Sequence, residues 1–228
     1  MSQPSIHFET PPLHTGKPWD PPTLPQLPGL WEDPVGADPV PDETACLAVW
    51  QQYGMFEHIG RHSRQVANMA EALAARAAEI GAADRPDQLR AISRAAGLLH
   101  DIAKSYTVQH GGSHAQIGSS WVVAATGNHR IAQAVYHHVE WPWPLPESLI
   151  HPVFFVIYAD KRARHDEIVT LDERYEDLLV RYGKSERSRA AIYRGWEHAK
   201  TIERVLSTQL EFSLHESTAA DGRLVARA

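Results

Sequence analysis

The sequence predicts an all-α protein, and three observations support that fold class. From residue 42 to residue 212, apolar side chains recur at the spacing of amphipathic helices, while the alternation that marks strands is nearly absent. The hydrophobic fraction of 43% suits an ordinary protein core. Eleven of the 16 prolines lie in residues 1–41, so the rest of the chain has few helix breakers. We therefore expect a helical bundle preceded by an extended Pro-rich arm.

Residues that favour helix ends divide the chain after residue 41 into segments. Asp42, Ser113 and Asn128 are suited to cap helix N-termini, because their side-chain oxygens accept backbone N–H groups. Pro86 is suited to the first turn of a helix. The Trp- and Pro-rich segment 141–146 cannot continue a regular helix and is expected to be a stiff loop. The predicted helices cover about 42–53, 57–80, 87–104, 113–126, 128–139, 151–164, 171–182 and 185–212.

The Pro-rich segment over residues 1–41 lacks any helical or strand period. Such a composition favours extended or polyproline II conformations. Apolar residues such as Trp19 and Trp31 favour an arm that packs on the body or on a neighbouring subunit, and a disordered leader is the alternative. We therefore divide the chain into an arm over 1–41, a helical body over 42–212 and a C-terminal tail over 213–228, which is expected to be frayed.

Composition excludes several classes of partner. The formal net charge of −6 argues against duplex nucleic acid as the main partner. No apolar run approaches the length that spans a bilayer, and the N-terminus resembles no secretory signal, so no membrane partner is expected. A single cysteine, Cys46, excludes an internal disulfide and a Cys-rich zinc site. These features favour a cytoplasmic protein, and the arm makes a homo-oligomer conceivable.

Histidines and aspartates occur on apolar helix faces, where a charged group is costly unless a cation or donor compensates it. The sequence contains 14 histidines. A lone inward histidine is normally a satisfied core residue, but several predicted helices each bring a His or Asp inward. A shared metal site explains them together. Imidazole and carboxylate ligands without thiolate suit iron, manganese, zinc, cobalt or nickel, and suit magnesium less well. The inward residues are His62, His100, Asp101, His137, His138 and Asp160.

Three segments carry a resemblance to a known family: Arg61-His62-Ser63-Arg64, Leu99-His100-Asp101-Ile102 and Ala159-Asp160-Lys161. In this order and on helices, they resemble the H…HD…D pattern of the HD-domain superfamily of metal-dependent phosphohydrolases. The resemblance covers about residues 50–180. It implies a helical HD-domain bundle. It also implies a first metal ion held by His62, His100, Asp101 and Asp160, and a second ion to which Asp101 is a shared ligand. As in two-metal HDIG-like members, the second ion would be held by His114, His137 and His138.

The chain also departs from named subgroups of that superfamily. Ile102-Ala103 stands where the HDIG motif has Ile-Gly, and no Gly-Tyr-Pro motif is present, which argues against cyclic di-GMP hydrolysis. The resemblance therefore implies the site more firmly than any named substrate.

The chemistry that follows from the resemblance is hydrolysis of a phosphomonoester or phosphodiester by a metal-activated water, with two ions, iron favoured. Asp101 and Lys104 would be catalytic, and Lys104, Lys161 and Arg61 would bind the substrate's phosphoryl oxygens. Trp141 and Trp143 could stack on a nucleobase, which favours a nucleotide substrate, although packing within the loop is the simpler interpretation.

Two other functions remain open from sequence. Some HD-domain proteins are di-iron oxygenases with a similar ligand set, which oxygen uptake would reveal. A non-catalytic metal- or nucleotide-binding sensor is the third hypothesis, although a sensor does not require an open metal site.

Overall fold

The computed structural model describes residues 39–227, so the predicted arm lies outside the described residues except for its last three positions. Within the described range the chain forms nine α-helices and two small β-hairpins, which confirms the all-α class. No helix in this range is both long and apolar enough to cross a membrane. The helices are α1 (Glu43–Gln52), α2 (Glu57–Glu79), α3 (Pro86–Leu99), α4 (Lys104–His110), α5 (His114–Thr126), α6 (His129–His137), α7 (Pro152–Arg162), α8 (Leu171–Tyr182) and α9 (Glu186–Gln209).

The predicted helix starts are confirmed by their capping bonds. Asp42 Oδ1 accepts from the Ala45 N–H at 2.8 Å, and Asn128 Oδ1 accepts from the Ile131 N–H at 3.0 Å. Ser113 caps α5 through a longer bond of 3.4 Å to Gln116. Each bond satisfies an N–H group that has no partner inside its helix.

The helix predicted to run through residue 104 is interrupted. α3 ends at Leu99, and α4 begins at Lys104. Between them the bonds Ile102 N–H to Leu99 O and Lys104 N–H to Asp101 O join residues three apart, which tightens the backbone into turns. The reason is tertiary: His100 and Asp101 are buried, and the turn directs both side chains into the interior.

Helix α2 packs against both α3 and α7, and these three helices form the centre of the core. A Cβ placed on Gly97 of α3 would lie 2.5 Å from the Ala67 Cα of α2, so the two backbones approach too closely for any side chain at position 97. Residues 152–159 of α7 are buried on every side. This packing brings His62 of α2, His100 at the end of α3 and Asp160 of α7 to one place.

The C-terminal tail is not frayed as expected. Strands β3 (Ser217–Ala220) and β4 (Arg223–Ala226) pair as an antiparallel hairpin, and β4 packs on α2. The two-residue turn is Asp221-Gly222, with positive φ at both positions, which is the sequence preference of a type I′ turn. A shorter hairpin, β1 (Ala163–Arg164) with β2 (Glu167–Ile168), follows α7.

A buried arginine joins α7 to the C-terminal segment. The Arg162 side chain is 0% exposed, and its guanidinium donates to Val169 O, to Leu214 O at 2.5 Å and to Ser217 O at 2.7 Å. Glu203 of α9 supplies the nearest carboxylate, 3.7 Å away. A charge this deep is tolerated only because its donors have partners.

Candidate metal centre

The carboxylate of Asp101 stands at the centre of a buried cluster of imidazoles. Asp101 is 1% exposed. Its Oδ2 atom lies 3.4 Å from His100 Nε2 and 3.9 Å from His62 Nε2. Its Oδ1 atom lies 3.4 Å from His114 Nε2 and 3.6 Å from His138 Nε2. The two oxygens therefore face two different sets of histidines.

The Oδ2 side is completed by Asp160. Its Oδ1 atom lies 3.1 Å from His62 Nε2 and 3.7 Å from His100 Nε2. Ligand atoms of His62, His100 and Asp160 all lie within 4.8 Å of one another, and so do those of His100, Asp101 and His138. Both triads have the spacing of residues that can hold a metal ion.

Backbone carbonyls orient two of these imidazoles. His100 Nδ1 donates to Gly97 O at 2.8 Å, and His138 Nδ1 donates to Val135 O at 2.7 Å. In the neutral ring the Nε2 atom then carries a lone pair and points at the carboxylates, which is the arrangement that metal-ligating histidines use. His100 Nε2 and Asp101 Oδ1 are buried without a hydrogen-bond partner among the described residues. A cation would satisfy both atoms, so the site fits a divalent metal.

The electrostatics of the metal-free cluster agree with this fit. Burial alone would raise the pKa of Asp101, but the positive charge of His100 and the nearby groups of His138 and Lys104 hold it well below its usual range. Burial alone would lower the pKa of His100, and the carboxylates of Asp101 and Asp160 raise it to about 9. Burial lowers the pKa of His114 to about 4. The cluster thus carries two ionised carboxylates that attract a positive charge to its centre.

His137 lies outside the two groups of residues whose spacing could hold a metal ion, so its predicted role as a ligand stays a prediction. Its ring packs edge-on against Trp141 and Trp143, with centroids 4.9 and 5.2 Å away. Successive helical residues point about 100° apart, and α6 ends at this residue, so only His138 turns toward Asp101. His137 instead holds the loop that follows α6.

The two tryptophans of that loop serve packing. Trp141 is buried and contacts Phe154 of the core edge-on, and its indole N–H donates to Pro144 O. Trp141 and Trp143 line a cavity of about 490 Å³ against α9, whose wall includes neither Asp101 nor any imidazole of the cluster. Loop packing accounts for both rings. Their predicted stacking on a substrate base stays a prediction, since Lys161, which bonds to Asp160, lines the same cavity.

Two of the three side chains predicted to bind the substrate donate directly to carboxylates of the cluster. Lys104 Nζ donates to Asp101 Oδ2 and Lys161 Nζ donates to Asp160 Oδ2, each at 2.7 Å. Burial alone would lower the pKa of Lys104, but the charges of Asp101 and Asp160 raise it, with Arg174 opposing them. Arg61 differs from these two lysines, because its guanidinium donates to the exposed Glu57, at 2.7 Å, and not to a carboxylate of the cluster.

A cleft of about 390 Å³ opens onto the Oδ2 side of the cluster. Its wall includes His62 and Asp101 at the base and four Lys or Arg side chains around them: Arg61, Lys104, Arg174 and Arg181. Arg174 and Arg181 were not predicted as site residues, because the polar face of an amphipathic helix such as α8 is normally solvated. His58 and His165, for which no sequence pattern was found, also line this cleft.

The family comparison agrees with the fold and the cluster. The model of the HD domain matches residues 59–171, a region that contains His62, His100, Asp101, His114, His138 and Asp160. This match supports a similarity of the region to HD domains, which are typically metal-dependent phosphohydrolases. Comparisons with curated proteins and with solved structures gave no match.

Proposed function

We propose that this chain is a metal-dependent phosphohydrolase that cleaves a phosphomonoester or phosphodiester, with a nucleotide as the favoured substrate class. The division of the Asp101 carboxylate between two sets of imidazoles is the observation that carries the proposal. A carboxylate shared in this way is suited to bridge two cations, which is the arrangement that phosphoryl displacement exploits.

Six residues would hold the two ions. His62, His100, Asp101 and Asp160 would hold the first, and Asp101, His114 and His138 the second. The predicted ligand His137 is left out of this set because it faces the tryptophan loop. Nitrogen and oxygen donors without sulfur favour iron, with manganese, zinc, cobalt and nickel as alternatives and magnesium less suited.

A bound metal pair would supply a water of lowered pKa and would neutralise charge on the phosphoryl oxygens. The chain's own residues prepare the site for this. Asp101 and Asp160 concentrate negative charge in a buried pocket, while Lys104 and Lys161 stabilise those carboxylates. The Lys104 side chain is 43% exposed and lines the cleft, so its ammonium group is placed to bind a phosphoryl oxygen of an entering ester.

Metal analysis combined with a hydrolysis assay tests the proposal. The purified protein should contain close to two metal ions per chain and should release phosphate or a nucleoside monophosphate from a panel of esters. Asp101→Ala should lose both metals and reduce the hydrolysis rate by more than about 100-fold, because it removes the shared ligand. His110→Ala, at an exposed position of α4, is the control and should behave as wild type.

Three outcomes would contradict the proposal. Full activity in Asp101→Ala would exclude the metal cluster as the catalytic site. Oxygen consumption by the reduced, iron-loaded protein without phosphate release would assign it to the oxygenases instead. Tight nucleotide binding with no turnover across the panel would identify a sensor. The cytoplasmic location stays a prediction, which localisation of a tagged full-length chain would test.

A further inference from the structure

The cleft that opens onto the His/Asp cluster is lined by a positively charged side chain, Arg174, that has no role in the proposed hydrolysis. Four Lys or Arg side chains line it: Arg61, Lys104, Arg174 and Arg181. In three of them a close acceptor already occupies the charged group. Lys104 bonds to Asp101 at 2.7 Å, Arg61 to Glu57 at 2.7 Å, and Arg181 to Asp177 at 2.9 Å.

Arg174 differs from these three. Its side chain is only 21% exposed, and its Nε atom is buried without a hydrogen-bond partner among residues 39–227. The nearest carboxylate, Asp177, lies 3.8 Å from Arg174 Nη1 and already accepts from Arg181 through its other oxygen. A largely buried guanidinium without a close acceptor is costly, so Arg174 is suited to bind an anion that enters the cleft.

The position of Arg174 relative to the metal cluster defines where that anion would lie. Arg174 lines the same cleft as His62, Asp101 and Lys104. Because Lys104 is the side chain expected to bind the phosphoryl group, Arg174 offers a further cation for a second anionic group of the same ligand. A guanidinium is also suited to hold phosphate or carboxylate oxygens in pairs.

Arg181 has a different part in the same wall. It donates to Asp177 and to His165 Nε2, the latter at 2.8 Å, so it is fixed between α8 and the turn that joins β1 to β2. Arg181 bonds to Asp177 Oδ1, while Asp177 Oδ2 lies 3.8 Å from Arg174 Nη1, beyond hydrogen-bond distance. The wall therefore presents Arg174 as an open anion-binding group on a fixed support.

We propose that Arg174 binds a second anionic group of the substrate, a phosphate or a carboxylate, so that the preferred substrates are phosphate esters with two anionic groups. This inference rests on the proposed function for the identity of the group at the metals. In this proposal Arg174 selects substrates by binding their second anionic group, and it does not contact the bond that is cleaved.

The test compares adenosine 3′,5′-bisphosphate with adenosine 5′-monophosphate, which share the 5′-phosphate and differ by one anionic group. Calorimetric titration of the metal-free wild-type protein should show tighter binding of the bisphosphate. Arg174→Gln should weaken bisphosphate binding by about 10- to 100-fold, as expected for loss of a charged hydrogen bond, and should change monophosphate binding little. Arg174→Lys should recover part of the preference.

Arg204→Gln is the matched control, because Arg204 is an exposed helical arginine that does not line the cleft. It should keep the wild-type preference, and circular dichroism of all variants should match that of the wild type. With the metal-loaded protein, the same preference should appear in kcat/KM for 5′-phosphate release.

The outcomes separate this inference from the proposed function. If the wild type shows no preference for the bisphosphate, or if Arg174→Gln retains it, the inference is wrong, whether or not hydrolysis occurs. If the wild type hydrolyses neither ester but loses its binding preference in Arg174→Gln, the anion site is supported and the hydrolase assignment is wrong.

Discussion

His114 Nε2 and His138 Nε2 lie 3.1 Å apart, and both converge on the same oxygen of Asp101. His138 Nδ1 donates to Val135 O, so its Nε2 atom accepts in the neutral ring and His114 donates the bond between the rings. Two imidazole nitrogens in contact over one carboxylate oxygen are unusual in a core that only needs satisfied hydrogen bonds. This convergence fits the proposed second metal site, where a cation would replace the proton between the two rings.

Adjacent histidines on α6 provide a matched pair for testing that interpretation. We expect His138→Gln to lower the metal content to about one ion per chain, because it removes a ligand beside Asp101 Oδ1. His137→Gln should retain the wild-type content, because its ring contacts Trp141 and Trp143. Inductively coupled plasma mass spectrometry of the purified variants measures both. Equal losses in the two variants would place His137 among the ligands after all.

Because α2 and α3 approach closely, one methyl group added at position 97 should lower the stability of the fold. Gly97→Ala should destabilise the fold by about 1–3 kcal/mol, because a Cβ at position 97 would lie 2.5 Å from the Ala67 backbone. Gly195→Ala in α9 is the control: its nearest atom, Tyr175 Oη, is 3.4 Å away, so the change should be neutral or stabilising by up to about 1 kcal/mol. Urea unfolding followed by circular dichroism compares them, and similar midpoints in the two variants would show that α3 can shift away.

The buried guanidinium of Arg162 predicts a large loss of stability on substitution. Arg162→Met leaves Val169 O and Ser217 O without the guanidinium that donates to them and removes the cation beside Glu203, so we expect a loss of about 3–5 kcal/mol. Arg164→Met, which breaks a partly exposed pair with Glu167, should cost less than about 1 kcal/mol. Denaturant titration of both variants measures the difference. A loss below about 1 kcal/mol in Arg162→Met would mean that the network contributes little.

The contact between the C-terminal segment and α8 predicts a pH dependence. Hydrogen bonds from Arg227 and from the Thr170 backbone lower the pKa of Glu173 to about 2, against an ordinary value of 4.5. Because the folded pKa is depressed, the stabilisation is fully present above pH 4.5 and is lost as the pH falls toward 2. Glu173→Gln should therefore be less stable than wild type at pH 6, by up to about 1 kcal/mol for a largely exposed pair.

That stability gap should shrink as the pH falls from 5 to 3. Unfolding curves of wild type and Glu173→Gln at matched pH values give the gap directly. A gap that stays constant over this range would show that ionisation of Glu173 contributes nothing.

Local signals predicted much of this structure. Capping residues such as Asp42 and Asn128 act within one helical turn, so their effect is visible in the sequence without knowledge of the fold. Six histidines and aspartates on apolar faces were predicted to meet, and five of those six lie together. His114, which only the family resemblance indicated, lies beside them. Their metal-binding roles stay a prediction.

Features that depend on tertiary packing were missed. The break between α3 and α4 exists because His100 and Asp101 turn inward, which the helical period across residues 87–104 does not reveal. The choice of His138 over His137 depends on the rotation of α6 relative to Asp101. Which side of α8 faces the cleft decides the position of Arg174, and no local pattern specifies it. The C-terminal hairpin is different, since Asp221-Gly222 is a recognisable turn signal that was overlooked.

The carbonyl partners of Arg162 have a consequence for how the chain folds during synthesis. Leu214 and Ser217 follow Arg162 by more than 50 residues, so they leave the ribosome well after the helix that carries the arginine. Until they arrive, α7 has a guanidinium that it cannot bury, and Asp160, two residues earlier on that helix, has no settled position. A nascent chain that has completed residue 171 therefore contains the full family match but an unfinished core. An expression fragment cut at that boundary should aggregate, whereas one that extends past residue 217 should fold.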